Sequence, residues 1–166
     1  MRAEGLKALL AVHDLAAAHT LAVIEAVPEP ALWDRAPGGR MKGLREQLIH
    51  LALVRESIAR CLAGEETAGL GERFEVEPWT HGGTAELAEA FRDHATRCRH
   101  LLERLRDRDL DDPFLTRFGN RSTPRNYLRM MLLEETHHRA QMTCTLRLFG
   151  LEPPDYPGQA WVELGL

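Results

Sequence analysis

The sequence predicts an all-α fold: a four-helix bundle with a long crossover between helices two and three, built as a single domain over residues 1–166. Three observations carry this expectation. Four stretches place apolar residues at three-to-four spacing, the pattern of a helix with one face turned to a core. Connections marked by proline and glycine separate them. No alternation of apolar and polar residues is long enough to build a sheet. The chain is 44% hydrophobic and 28% charged, and its 166 residues suit one globular domain and are short for two.

The first helix is expected from about Ala3 to Val27, with Leu6, Leu9, Leu10, His13, Ala17, Thr20, Ile24 and Val27 on its stripe. His13 lies on that stripe and His19 lies off it. Ala16, Ala17 and Ala18 allow close approach of a partner helix. Pro28 and Pro30 stop the helix, and Ala31 to Arg40 form a loop with Trp33 and a Pro37-Gly38-Gly39 turn. The second helix is expected from about Met41 to Ala63. Leu44, Leu48, Leu51, Ile58 and Leu62 mark its apolar side, and Arg45, Glu46, Glu56 and Arg60 its wet side. His50 sits at the edge of the apolar face, near Val54, Ser57 and Cys61. Ile49 and Leu53 fall on the wet side, either as a contact with a second copy in a homodimer or as ordinary exposed apolar residues.

Gly64 to Gly83 is a long connection rich in glycine and acid. A loop of that length crosses the bundle and lets helix three run parallel to helix two. The third helix is expected from Thr84, as N-cap, to about Arg106, with Leu87, Phe91, His94, Cys98, Leu101 and Leu105 inward. Asp107 to Arg121 is a second long connection, holding Phe114 and Phe118. The fourth helix runs from Ser122 to Gly150. Ser122 or Thr123 caps it, Pro124 takes its first position, and Gly150 sits just past its end before Pro153 and Pro154. The tail from Leu151 to Leu166, with Tyr156 and Trp161, is expected to pack back across the bundle.

Bulk properties exclude some functions. The net charge of −4 offers no basic footprint for nucleic acid. No run approaches the roughly 18 apolar residues of a membrane span, and His13 and Asp14 break the signal-peptide layout at the start of the chain. Cys61, Cys98 and Cys144 form no CxxC pair and lie inside expected helices. They read as reduced thiols serving as small core residues, which points to a cytoplasmic location.

The fourth helix carries the chemistry. At about 100° per residue, Arg125, Arg129, Arg139 and Arg147 share a side with Thr136 and Thr143, which reads as solvated. The opposite side holds Tyr127, Met131, Glu134, His138, Gln141 and Thr145. A carboxylate and an imidazole one turn apart therefore point at the core, where either needs a partner. Candidate metal ligands are His50, Glu134 and His138, with His13, His94 and His137 behind them. Imidazole plus carboxylate suits a divalent ion, and three protein ligands leave a position open for water or a substrate. Gln141, Thr145 and Ser57 lie within helical reach as hydrogen-bond partners for the imidazoles. The competing reading is structural: Glu134 and His138 pair across one turn, His13 and His94 are core residues, and His137 flanks the core face. Spacing alone leaves both open.

Residues Glu134-Glu135-Thr136-His137-His138-Arg139-Ala140-Gln141, followed by Leu146-Arg147 and Phe149-Gly150, resemble the C-terminal helix of the DinB/YfiT-like superfamily. That helix carries a His, three residues and then His-Arg-Gly-Gln, with a leucine–arginine–glycine finish. Leu44-Arg45-Glu46-Gln47-Leu48-Ile49-His50-Leu51-Ala52 resembles the family's second helix, where a histidine supplies the first ligand. The Pro28 to Arg40 loop is also similar, so the resemblance covers roughly Leu6 to Pro154. It implies a four-helix bundle, often dimeric, that binds a divalent metal through three histidines. His50 and His138 match two of them. Glu134 stands where the third is expected, and Ala140 replaces the usual glycine. The glutamate either completes a two-histidine, one-carboxylate set, changes which metal binds, or marks a degenerate site. Zinc or nickel is the first expectation for the metal, with iron or manganese next. The resemblance further implies a metal-dependent transferase or isomerase that uses a low-molecular-weight thiol, such as bacillithiol or mycothiol, on a small electrophile. Two alternatives stand beside it. One is a metal-dependent hydrolase with Glu134 as base and His13 or His94 as the third ligand. The other is a non-catalytic, stress-associated dimer.

Overall fold

The structure is a computed structural model that describes residues 5–39, 41–116 and 118–155. Four helices dominate: α1 (Leu6–Glu25), α2 (Leu44–Leu62), α3 (Thr84–Leu102) and α4 (Pro124–Leu148). Each of α1 and α2 packs on both α3 and α4, so α1 and α2 stand at opposite corners of a four-helix bundle. Two apolar clusters show how the helices run. In one, Val23 and Ile24 of α1 meet Leu44 and Leu48 of α2, Leu87 and Phe91 of α3, and Met142 and Leu146 of α4. In the other, Leu9 and Leu10 meet Ile58, Leu101, Leu102, Leu128 and Met131. α1 and α4 therefore advance in one direction, and α2 and α3 in the other. The connection from α2 to α3 carries a short helical turn at Gly71–Phe74, with Phe74 and Trp79 tucked into the first cluster.

The helix ends follow their local chemistry. The Thr123 hydroxyl accepts from Asn126 N at 3.3 Å, and Pro124 opens α4. At the other end Gly150 adopts φ +79°, a conformation that costs glycine no side-chain clash. It donates to Arg147 O at 3.0 Å while Leu151 N reaches back to Leu146 O at 3.0 Å. At α3 the cap is Gly83, closed by its N–H on Glu86 at 2.7 Å. Thr84 is not the cap. Its hydroxyl donates to Val27 O at 2.7 Å and accepts from Trp33 Nε1 at 3.0 Å, tying the first loop to α3. α3 ends at Leu102, because tight turns through Arg104 and Leu105 follow. The second long connection holds a two-stranded antiparallel ribbon, β1 (Phe114–Leu115) with β2 (Arg121–Ser122), too short to make a second layer. Ala3, at the expected start of the first helix, and the tail residues Tyr156 and Trp161 lie outside the described residues.

Several charged residues assigned to wet faces are buried. Arg45 grips Asp34 through Nε at 2.6 Å and Nη2 at 3.1 Å, and donates to Trp79 O and Gly82 O. Glu56 accepts from Arg60 at 2.8 Å and from Arg73. Arg125 holds Asp111 with two bonds of 2.8 Å, and Arg139 donates to Ala16 O at 3.2 Å. Thr143 is buried as well. The reason is common to the charged groups: α2 and α4 each touch two neighbours plus loops, so the arc removed from water is wider than an apolar stripe. Ile49 and Leu53 are half-buried against the first cluster of their own chain. α1 is long and apolar enough to cross a membrane, with mean hydropathy 1.4, but half of that stretch is buried inside the bundle. The thiols divide. Cys98 is buried, and burial pushes it up to about 12; Cys61 is half-buried and Cys144 is exposed, so the last is no core residue.

Between the two clusters lies a polar layer. Arg55 and Glu135 are both fully buried and form an ion pair across α2 and α4. Thr20 donates to the second carboxylate oxygen at 2.8 Å. His13 Nε2 lies 2.7 Å from Arg55 Nη2. A guanidinium only donates, so this nitrogen accepts, and the ring proton sits on Nδ1, facing Asp14 at 3.2 Å. Burial lowers the pKa of His13, and burial likewise lowers that of His94, which packs among Phe74, Trp79 and Phe91. Both are neutral when folded and take a proton more readily when unfolded. Their contribution is therefore complete above pH 6.5 and is lost as the pH falls below it. Each adds a slope of at most about 1.4 kcal/mol per pH unit below that point. Urea unfolding at pH 7.5, 6.5 and 5.5 is expected to show this decline, and His94→Gln should flatten it; an unchanged slope in the variant would remove His94 from the account.

Candidate metal centre

His50 on α2 meets Glu134 and His138 on α4. The antiparallel packing of these helices sets residue 50 beside residues 134 and 138, and the i,i+4 spacing stacks the last two on one face. One ligand-capable atom from each of the three lies within 4.8 Å of the others. The imidazoles of His50 and His138 stand edge to face, with centroids 4.6 Å apart. His138 Nε2 is 3.5 Å from Glu134 Oε2. That separation is long for a strong hydrogen bond. It is close to the ~3.4 Å between two ligands of one tetrahedral ion at 2.0–2.2 Å.

His138 is buried and its Nδ1 has no hydrogen-bond partner. The ring nitrogen that faces the Glu134 carboxylate is Nε2, and an ion shared with Glu134 would be held through it. Burial lowers the pKa of His138, helped by His50 and His137 nearby. His50 is lowered by burial first and then by Lys42. Both rings are thereby kept neutral, the form that ligates. Glu134 differs from the inward residue that its spacing suggested. Its side chain is 43% exposed, at the rim. The fully buried carboxylate is its neighbour Glu135, which is committed to Arg55. The residues present fit a divalent ion, with the His138 imidazole inside and the half-buried His50 and Glu134 nearer the mouth.

The other candidates go elsewhere. His13 is occupied by Arg55 and Asp14, and His94 lies near Glu56 and 3.5 Å from Cys98 Sγ. Neither joins the trio, so among the described residues a hydrolytic site with Glu134 as base finds no third protein ligand. His137 is exposed and bonds Gln141 at 2.9 Å. The Thr145 hydroxyl donates to Gln141 O at 3.0 Å and not to an imidazole, whereas Ser57 lines a cleft beside His50. Arg55 and Glu135 were missed because a charged pair inside a bundle leaves no mark in apolar periodicity. The available signal was Arg55 itself, which falls between Leu51 and Ile58 on the apolar side.

Comparison with curated proteins gives no match. The model of the DinB superfamily matches residues 13–142, which takes in His50, Glu134 and His138 and the greater part of every helix. The chain, a helical bundle with its three convergent side chains on the second and fourth helices, therefore belongs to the DinB superfamily.

Proposed function

We propose that this protein binds a divalent metal through His50, Glu134 and His138, and serves as a transferase that joins a low-molecular-weight thiol to a small electrophile. The observation that carries the metal reading is the convergence of the three side chains, one ligand-capable atom of each lying within 4.8 Å of the others. When bound, the ion acts as a Lewis acid that favours the deprotonated, nucleophilic form of a thiol. The neutral imidazoles and the Glu134 carboxylate would hold it, and the carboxylate would lower the charge of the loaded site. A site with three protein ligands leaves room for one more donor. In the reaction, the thiol gives up its proton, its sulfur bonds to the electrophilic atom, and the leaving group departs with the bonding pair. Zinc or nickel is the metal proposed first. Bacillithiol and mycothiol are the proposed thiols, and a homodimer is the proposed assembly; the free cysteines accord with a reducing compartment.

The test is a conjugation assay. Metal-loaded protein, purified without a polyhistidine tag, is incubated with either thiol and a panel of alkyl halides and epoxides, and thioether formation is followed by mass spectrometry. Product that requires both protein and metal is expected. Metal binding without any product across the panel would leave the chain as a non-catalytic metal-binding bundle.

A further inference from the structure

A cleft of about 300 Å³ opens beside the trio, between α2, α4 and the loop that joins β1 to β2. His50 and Glu134 line it, and so do Val54, Ile58, Tyr127 and Met130, with Phe118 of the loop as a further wall. Because α2 and α4 are antiparallel, His50 and Glu134 share one end, and Ile58 and Tyr127 lie about two turns away, on the order of 10 Å. The far walls are mostly hydrocarbon. Phe118 and Met130 are 66% and 38% exposed and add apolar surface to the cleft. A cavity of about 150 Å³ takes a benzene molecule, so this one admits a substituted or bicyclic ring.

We propose that this cleft holds the apolar body of the electrophilic reactant: a small aromatic or alkyl compound whose polar end reaches His50 and Glu134. The inference rests on the metal reading of the trio and adds the substrate class to it. Two features argue for that occupant. The size suits a small molecule and not a peptide. A polyhydroxylated molecule would set most of its hydroxyls against Val54, Ile58, Met130 and Phe118, with Ser57 and Tyr127 as the hydroxyl-bearing walls, and each hydroxyl left against hydrocarbon loses a hydrogen bond to water. The sugar-like portion of a thiol cosubstrate therefore belongs outside the cleft.

The test separates the two layers. Untagged protein is loaded with cobalt(II), and its visible spectrum is titrated with acetohydroxamate, benzohydroxamate and 2-naphthohydroxamate. These probes share one metal-binding end and differ in apolar body. Benzohydroxamate is expected to bind about ten-fold or more tightly than acetohydroxamate, since each buried methylene-sized group contributes roughly four-fold. Met130→Asp and Phe118→Asp should each cut that advantage, while Leu133→Asp, on the exposed side of α4, should match the unaltered protein. The cobalt spectrum of each variant shows whether the trio is intact. Cobalt binding with equal affinity for all three hydroxamates would overturn the cleft assignment alone. Absence of a cobalt spectrum in the unaltered protein would overturn the metal reading and this inference with it.

Discussion

Replacing Glu135 by alanine is expected to destabilise the protein by about 3–5 kcal/mol, a large part of a typical domain's stability. The carboxylate is fully buried, and its removal leaves the Arg55 guanidinium charged in the middle of the bundle with no counter-charge. Thr20 Oγ1 loses its acceptor in the same step. The native pair is itself incompletely satisfied, since Arg55 Nε has no hydrogen-bond partner. Breaking the pair is therefore expected to be far more costly than replacing it. The double variant Arg55→Met, Glu135→Leu should recover much of the loss, because it removes both charges and fills a similar volume. It should stop short of full recovery, as His13 Nε2 and Thr20 Oγ1 would remain unpaired at about 1–3 kcal/mol. Urea unfolding followed by far-ultraviolet circular dichroism measures all three. A Glu135→Ala variant within about 1 kcal/mol of the parent would show that water reaches this layer and that the pair does not hold α2 to α4.

His138→Ala is expected to weaken metal binding about 100-fold or more. Altering groups that merely support a ligand already costs 10–100-fold, and His138 is the buried member of the trio. His50→Ala should behave alike. Glu134 is the informative position. Glu134→Gln keeps the shape and removes the charge, and should weaken binding about ten-fold. Glu134→His supplies the residue that the family pattern leads one to expect, and should bind zinc at least as well as the parent. Competition against a chromophoric chelator, on untagged protein, gives the affinities. Equal affinity for Glu134→Gln and the parent would take Glu134 out of the ligand set, and equal metal content in His138→Ala would sink the site as drawn. None of these substitutions touches the Arg55–Glu135 pair, so unfolding midpoints close to the parent are expected, and a metal loss cannot be ascribed to loss of fold.

Much of this was written in local sequence. Three-to-four spacing located the four helices. Thr123, Pro124 and Gly150 marked the ends of α4 through backbone needs that any partner arrangement leaves unchanged. His50, Glu134 and His138 could be nominated because i,i+4 spacing and the order of the helices survive folding. Glu134 and Glu135 show where that reasoning stops. They are neighbours about 100° apart on one helix, and only the rotation of α4 about its axis settles which of them enters the core. That rotation is set by α1 and α2 together. It turned Glu135 onto Arg55 and left Glu134 at the mouth of the site. The same holds for Arg45, Arg125 and Arg139, whose charges marked them as solvated until loops, and for Arg139 the backbone of α1, supplied their acceptors. A helix's periodicity records its apolar stripe. A buried ion pair depends on the approach of a second, distant segment, and spacing within one helix carries no record of that approach.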